Sequence, residues 1–565
     1  PPVHTGGVFL WAQEDAMKQT GAELIISLLE AQGIDTVTGI PGGSILPFYD
    51  ALSKSSIRHI LARHEQGAGF IAQGMARSTG KPAVCLATSG PGATNLVTAL
   101  ADAKQDSVPV IAITGQVPSA FVGTDAFQEV DIYHMTVPVT KHNFAVRSAD
   151  DLSSIIPAAF EIASSGRPGP VLIDIPKDVF LQEVSSPKPY IPAPRRSSSP
   201  DAASIGKAAA LIAESKRPLI YAGGGIISAG AHDALAALSR KNSIPAASTL
   251  MGLGAFPPDD ELYLGMIGMH GASCANRLLD ETDLLIALGV RFGDRTVGRI
   301  DEFCPNAKII HVDIDESELG KLRAATLSIR GDLAETLAAL TAAVPSDTRE
   351  EWRRRISEAK GRHKDTRETP PNHPESVLHT LKSLLGGAIV TTDVGQHQMW
   401  SAQIIGARGP RRFLTSGGLG TMGFGLPAAI GAAIANPGTK AVCITGDGSL
   451  QMNIQELATL AELGADVAVI LFNNGHLGLV RQQQELFFGN RVYASKFSQK
   501  ADFAAIARGF GVEAHRADLP ADIAPLLERA MSNKGPFLAE IMVDETANVF
   551  PMVPPGSANR NMIGG

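Results

Sequence analysis

The chain has 565 residues, of which 44% are hydrophobic, 19% charged and 5% aromatic, with a formal net charge of −8. Such a length exceeds one core and points to about three domains at roughly 150 residues each, while weak acidity spread along it leaves no nucleic-acid footprint. No apolar run approaches the roughly 20 residues that span a bilayer, so no membrane role is expected; Cys85, Cys274, Cys304 and Cys443, without CxxC spacing, read as buried thiols of a reducing, cytoplasmic compartment.

Residues 1–19 lack the basic, hydrophobic and small-residue order of a signal peptide and read as a short arm. Residues 20–184 alternate a helical pattern (IISLLEAQGI) with strand-like runs AVCLAT, PVIAITG and PVLIDIP, each ending in a turn, as in a doubly wound parallel sheet. Within them, His64-Glu65-Gln66 stands between the strand-like RHILA and the small-residue helix GAGFIAQGMA. The Pro- and Ser-rich residues 185–201 read as an extended linker. A second α/β pattern, residues 202–345, carries PLIYAGG, LLIALGV and KIIHVDID. Residues 346–375 form a charged, proline-ended connection with one solvated helix. Residues 376–546 make a third α/β region, and the Pro- and Gly-rich tail, residues 547–565, reads either as a frayed terminus or as a lid that orders on substrate binding.

The third region contains the stretch that organises the rest. A buried strand from Ala441 to Ile444 breaks at Gly446-Asp447-Gly448, where glycines let backbone approach a ligand. A helical pattern with Leu450, Ile454, Leu457 and Leu460 on one face follows, then a second apolar run from Val467 to Phe472 ending on Asn473-Asn474. Asp447 and Asn474 lie 27 positions apart, which suits a helical crossover to a parallel neighbouring strand, so both side chains can meet at the carboxyl edge of the sheet. Oxygen ligands at a helix N-terminus suit Mg²⁺ holding a diphosphate, whose oxygens and water complete the octahedron. A GDG, 25 to 30 residues, then NN resembles the signature of thiamine diphosphate enzymes. That chemistry gives Glu65 a meaning: the cofactor's aminopyrimidine becomes its internal base when a buried carboxylic acid holds a proton against the ring, and Gly67, Ala68, Gly69 and Phe70 offer the apolar setting such an acid needs.

Longer blocks narrow the resemblance. IPGGSILPFYDAL, RHEQGAGFIAQGMAR, TSGPGATN, ITGQVPSAFVGTDAFQEVD and KHNF resemble the pyrimidine domain of acetohydroxyacid synthase, also called acetolactate synthase; TTDVGQHQMW, TSGGLGTMGFGLPAAIGAAIA and GDGSLQMNIQELAT resemble its diphosphate domain. The resemblance implies three doubly wound parallel-sheet α/β domains of the thiamine diphosphate-dependent pyruvate oxidase/decarboxylase type: residues 20–184 for the pyrimidine, 202–345 for FAD, 376–546 for the diphosphate and Mg²⁺. It implies Glu65 as the activating acid, with Asp447, the Asn474 side chain and the main-chain oxygen of His476 on the metal. Gly446, Gly448 and Ser449 would face the diphosphate, as would Gly395, Gln396 and His397; Met422, with Gly420 beside it, would prop the cofactor's bend, and Pro41, Gly42, Gly43, Gly478 and Leu479 would line the same ligand. Phe127, Gln128 and Lys177 match substrate-handling positions, and Arg295 matches the arginine that binds the second keto acid's carboxylate, a task suited to a planar fork. For FAD, which has no net redox role in the family, the matching positions are Gly223, Gly224, Thr249, Leu250, Met251, Met269, His270, Gly289, Arg291, Asp294, Val297, Asp313, Ile314, Gly331 and Asp332.

Two departures stand out. Gly293 replaces a family carboxylate in Arg291-Phe292-Gly293-Asp294-Arg295, which points to looser FAD binding. Gln482-Gln483-Gln484 stands where most members have a QWQ triplet, resembling a bacterial isozyme class with little bias between pyruvate and 2-ketobutyrate; one missing apolar wall is worth roughly 1 to 3 kcal/mol of discrimination. The implied activity is decarboxylation of pyruvate and condensation with a second 2-keto acid, the first common step to branched-chain amino acids, by a homodimer or homotetramer with sites at the subunit interface and a small regulatory subunit. Pyruvate oxidase or a 2-keto acid decarboxylase on the same scaffold is the alternative.

Overall fold

The computed structural model describes residues 19–192, 199–361, 369–499 and 501–564; the arm expected at residues 1–19 lies, except for Gln19, outside them, as do the middles of both expected linkers. Three sheets, each of six parallel strands, carry the chain. The first runs in space Arg58–Leu61, Thr36–Gly39, Ala83–Ala87, Val110–Gln116, Val171–Pro176, His142–Ala145. The second runs Leu327–Arg330, Lys308–Asp313, Leu284–Leu288, Pro218–Ala222, Ala246–Ser248, Tyr263–Met266. The third runs Phe413–Thr415, Ile389–Thr392, Ala441–Gly446, Val467–Asn473, Phe537–Met542, Glu513–Ala517. Helices cover both faces, so the inner strands Val110–Gln116, Leu284–Leu288 and Val467–Asn473 are buried along their whole length. Burial on both faces is why they read as unbroken apolar runs rather than alternating ones. All four cysteines are free and buried.

The predicted crossover is present: Ala441–Gly446 pairs in parallel with Val467–Asn473, Gly446 opposite Phe472. Its helix is not continuous. Asp447–Leu450 gives way to a 3₁₀ turn at Gln451–Asn453 before Glu456–Leu463. At the break Asn453 Nδ2 donates out of the helix, to Gly423 O (2.9 Å) and Gln66 Oε1 (3.0 Å). Leu450, Leu457 and Leu460 still reach the core.

The first and third sheets are joined through two helices, Glu65–Thr79 and Gly425–Ala435. A Cβ on Gly74 would stand 2.1 Å from Ala428 O, and one on Gly431 2.0 Å from Ile71 O, so the crossing is backbone against backbone. Phe70 and Phe424 close it edge to face at 5.4 Å.

Two expectations are corrected. The helix Glu350–Gly361 is not solvated: Trp352, Ile356 and Ala359, one helical face, are buried against the second sheet, and Trp352 Nε1 donates to Pro218 O at 3.0 Å. Nor does the tail fray. Val549 and Met552 are fully buried, Val553 N donates to Met269 O (2.8 Å) and Asn559 Nδ2 to Thr296 O (2.9 Å), so it forms a strap tied to the middle domain.

Candidate active site

At the carboxyl edge of the third sheet, strand Ala441–Gly446 delivers Asp447 into the start of a helix, and Val467–Asn473 delivers Asn474 beside it. Asp447 and Ser449 are each 3% exposed. Asn474 Oδ1 accepts from His476 N at 3.0 Å, its Nδ2 lies 3.4 Å from Gln396 Oε1, and a Cβ on Gly478 would stand within 2.7 Å of both amides. Gln396 is itself held by donation to Gln482 Oε1 and Ala547 O, both at 2.9 Å. Gly446 presses on the His397 ring, where a Cβ would be 2.9 Å away. Burial lowers the His397 imidazole to about 3, so it is neutral, and its Nε2 is buried without a partner. Ser449 Oγ donates to Val394 O at 2.6 Å. Among the described residues no three His, Cys, Asp or Glu side chains gather to cage a metal. One carboxylate, one amide oxygen, a helix start and an orphaned imidazole nitrogen fit a hard cation that takes its remaining ligands from a diphosphate and water. A buried polar nitrogen without a partner is costly unless a ligand satisfies it.

The first domain builds a second half-site from other residues. Glu65 opens the helix Glu65–Thr79 with His64 as its N-cap, and its Oε2 accepts from Asn95 Nδ2 at 2.9 Å. Glu65 is half-buried. A Cβ on Gly92 would lie 3.3 Å from Glu65 Oε1, one on Gly42 2.5 Å from Thr88, and one on Gly90 about 3 Å from Gln128, which sits at φ 60°. Glu65, Gly42, Thr88 and Gln128 are thereby linked, while Pro41 and Gly43 are exposed beside them. The apolar wall expected around Glu65 is elsewhere: Gly67 faces Glu456, and Phe70 fills the helix crossing, because those positions point down the helix toward the third domain. Phe127 is 88% exposed, and Phe121 and Val122 a few positions earlier in the chain are exposed as well. Lys177 is half-buried at the start of the Lys177–Leu181 helix. Glu65 thus bonds within its own domain, to Asn95, and Arg295 is 70% exposed with Asp294 at 3.9 Å.

A cavity of about 1180 Å³ opens between the domains. Gly223, Gly224, Thr249, Leu250, Met251, Met269, His270, Gly289, Arg291, Asp294, Asp313, Ile314 and Asp332 all line it, with Gly293 and Arg295 at the rim. Val297 and Gly331 do not. Val297 turns into the core beside Phe292, and Gly331 N is committed to Asp313 O at 3.1 Å. Gly420, Leu479 and Gln483 line the same cavity, so it runs on toward the third sheet's edge. Of the three glutamines only Gln483 faces it; Gln482 is fully buried and bonded to the tail, and Gln484 binds Tyr493 and Ser495. Burial lowers His270 to about 4 and leaves its Nε2 unpartnered, while its Nδ1 lies 3.1 Å from Pro551 O. A long, glycine-walled cavity with an orphaned imidazole fits an extended dinucleotide such as FAD.

Several residues of the site have weak or no sequence signals. Asp393 is fully buried, pushed up to about 6 by burial, and accepts from Gly423 N (2.7 Å) and Thr445 Oγ1 (3.1 Å); a polar residue ending the run AIVTTD was its only mark. Glu456, buried within an apolar helix face, accepts from the main-chain N–H groups of Arg63 and His64 at 3.0 and 3.1 Å, a contact across 393 positions that no local pattern announces.

The thiamine pyrophosphate enzyme N-terminal TPP binding domain family matches residues 19–135, the central domain family residues 205–340 and the C-terminal TPP binding domain family residues 393–541. Fold and site thus define a thiamine diphosphate-dependent enzyme. The acetolactate synthase isozyme 1 large subunit of Escherichia coli strain K12 is 52% identical over 96% of this chain and 98% of its own length, and the isozyme 2 large subunit of the same organism is 44% identical over 96% and 99%. The acetolactate synthase large subunit of Parasynechococcus marenigrum strain WH8102 is 47% identical over 96% of this chain and 91% of its own length. The chain belongs to the acetolactate synthase large subunit family.

Proposed function

We propose that this chain decarboxylates pyruvate and joins the remaining two-carbon unit to a second 2-keto acid, giving 2-acetolactate from pyruvate or 2-aceto-2-hydroxybutyrate from 2-ketobutyrate, at the entry to branched-chain amino-acid synthesis. The observation that carries the reading is the convergence of Asp447, Asn474, Gln396 and the unpartnered His397 nitrogen at one sheet edge, in a member of this family. Thiamine diphosphate, when bound, supplies the electron sink that no side chain offers. Asp447, the Asn474 amide oxygen and the His476 carbonyl would hold Mg²⁺. The main-chain N–H groups of Gly448 and Ser449, with Gln396 and His397, would hold the diphosphate, and Met422 would shape the site above it. Glu65 would keep a proton on its carboxyl and present it to the cofactor's pyrimidine. Arg295 would grip the second keto acid's carboxylate, with Phe127, Gln128 and Lys177 enclosing the reacting carbons. FAD would occupy the interdomain cavity without net redox change.

Glu65 needs a drier setting than one chain gives it, and the exposed Phe121, Val122 and Phe127 need a cover. Both support a homodimer or homotetramer in which Glu65 of one copy serves the Asp447 set of another. Subunits of this family associate with small regulatory subunits, and we extend that to this chain. No helix among the described residues is long and apolar enough to cross a membrane; the cytoplasmic setting is carried over from the sequence. Gln483 at the cavity wall supports weak discrimination between pyruvate and 2-ketobutyrate.

Product analysis tests this. With thiamine diphosphate, Mg²⁺ and FAD, the purified protein should convert pyruvate to acetolactate, and an equimolar mixture with 2-ketobutyrate to comparable amounts of both acetohydroxy acids. Acetaldehyde as main product, or consumption of oxygen during turnover, would overturn the carboligase assignment.

A further inference from the structure

The segment 415–423, Thr-Ser-Gly-Gly-Leu-Gly-Thr-Met-Gly, has four glycines, two of them at positive φ (Gly420 at 71°, Gly423 at 88°), and lies between the proposed flavin cavity, which Gly417, Gly418 and Gly420 line, and the proposed thiamine site, which Met422 serves. A run so rich in glycine has little conformational preference of its own, and ordering it is entropically expensive. Its shape is imposed from outside.

The restraint comes from the first domain. Asp102, in the helix Val97–Gln105, and Asp106, which caps it, stand one turn apart. Asp106 accepts from Gly417 N at 3.0 Å through Oδ2 and from Gly418 N at 2.8 Å through Oδ1. Asp102 Oδ2 accepts from Ser416 Oγ and from Thr421 Oγ1 (3.0 Å), and Thr421 N in turn donates to Ser416 Oγ at 2.8 Å. Arg77 completes the clamp, its Nη2 reaching Asp102 Oδ1 at 2.8 Å and Asp106 Oδ2 at 3.0 Å, and its Nη1 donating to Thr415 O at 3.0 Å. The Arg77 side chain is 6% exposed and both carboxylates are fully buried. Two buried carboxylates share one guanidinium, and the loop's own N–H and O–H groups supply the rest of their solvation. A buried ionic cluster is poor evidence for stability, since apolar replacements often serve as well, and its better attested use is to specify one geometry.

We infer that Asp102 and Asp106 are positioning residues for both cofactors, holding one loop as the shared wall of the flavin cavity and the thiamine site. The inference rests on the proposed cofactor reading. Its test is Asp106→Asn in the full chain, an isosteric change that turns one acceptor into a donor facing a loop N–H. The dissociation constants of thiamine diphosphate (calorimetry at saturating Mg²⁺) and of FAD (flavin fluorescence) should both rise about tenfold, the KM for thiamine diphosphate rising with them, while cofactor-free protein still unfolds cooperatively. Either constant staying within about twofold of the parent value overturns the inference. Should Asp106→Asn fail to fold, Thr421→Val decides, because it deletes a single hydroxyl bond to Asp102: about threefold weaker binding of both cofactors supports the clamp and unchanged binding of either refutes it. A parent protein that binds neither cofactor overturns the cofactor reading itself, and the clamp's role with it.

Discussion

Replacing Gly478 by alanine probes the diphosphate edge with one carbon atom. The new Cβ would stand 2.1 Å from Gln396 Oε1 and 2.7 Å from Asn474 Nδ2. Nonbonded contacts settle near 3.5 Å, so the Gln396 amide must retreat by more than about 1 Å. Retreat is opposed, because Gln396 is 3% exposed and its Nε2 is committed to Gln482 Oε1 and Ala547 O, both at 2.9 Å. Losing those two buried bonds costs roughly 1 to 3 kcal/mol, and overpacking adds a similar amount. The opposing term is helix propensity: alanine at the first position of the helix Gly478–Phe487 gains at most about 1 kcal/mol over glycine. The clash wins, leaving a net loss of about 3 kcal/mol, concentrated where Asn474 would meet the metal. The expected outcome is a lower urea midpoint and Mg²⁺-dependent thiamine diphosphate binding at least tenfold weaker, read by calorimetry. Unchanged midpoint and affinity would refute the packing drawn around Gly478.

Glu65→Gln should still bind thiamine diphosphate but lose carboligase activity by two orders of magnitude or more, on the order expected for a lost proton-transfer group; full activity would remove Glu65 from the mechanism. Gly293→Asp meets open space at φ −60°, so melting should move little while FAD binding changes; a collapse in stability would contradict the geometry of the Arg291–Arg295 turn. Asp174 accepts from Thr114 Oγ1 and Gln116 Nε2, and burial pushes it up to about 6 from 3.8. Its folded value lies above its unfolded one, so the stability held by the neutral carboxyl is complete below about 4 and lost as pH rises through 6. Asp174→Asn should therefore gain on the parent by up to about 3 kcal/mol between pH 4 and pH 8; a difference flat with pH would refute it. Chelating the divalent ion should release thiamine diphosphate from the parent protein, and retention after exhaustive chelation would count against Asp447 and Asn474 as metal ligands.

What could be read in advance depended on how local the signal was. Strands such as Ala441–Gly446 and Val467–Asn473 were legible because burial on both faces writes an uninterrupted apolar run, and the 27-residue spacing of Asp447 and Asn474 carried the crossover. Ala246–Ser248 and Phe413–Thr415, each three residues long, offered no such run. The helix Glu350–Gly361 read as solvated because charge dominates its composition, while Trp352, Ile356 and Ala359 sit at the spacing of one buried face. Residues whose partners are hundreds of positions away, such as Asp102 with Thr421 and Glu456 with His64, had nothing nearby to announce them.

The glycine crossing of Gly74 and Gly431 has a mechanical consequence. With main chain against main chain, the helix that begins at Glu65 has no cushion of side chains through which to slide over the third domain. The acid of one half-site and the cofactor cradle of the other are thus cast in a single stiff block, and the span between them is set inside each chain. Two such blocks meeting about a two-fold axis would complete both proposed sites in one event, so a half-active dimer should not arise from partial docking.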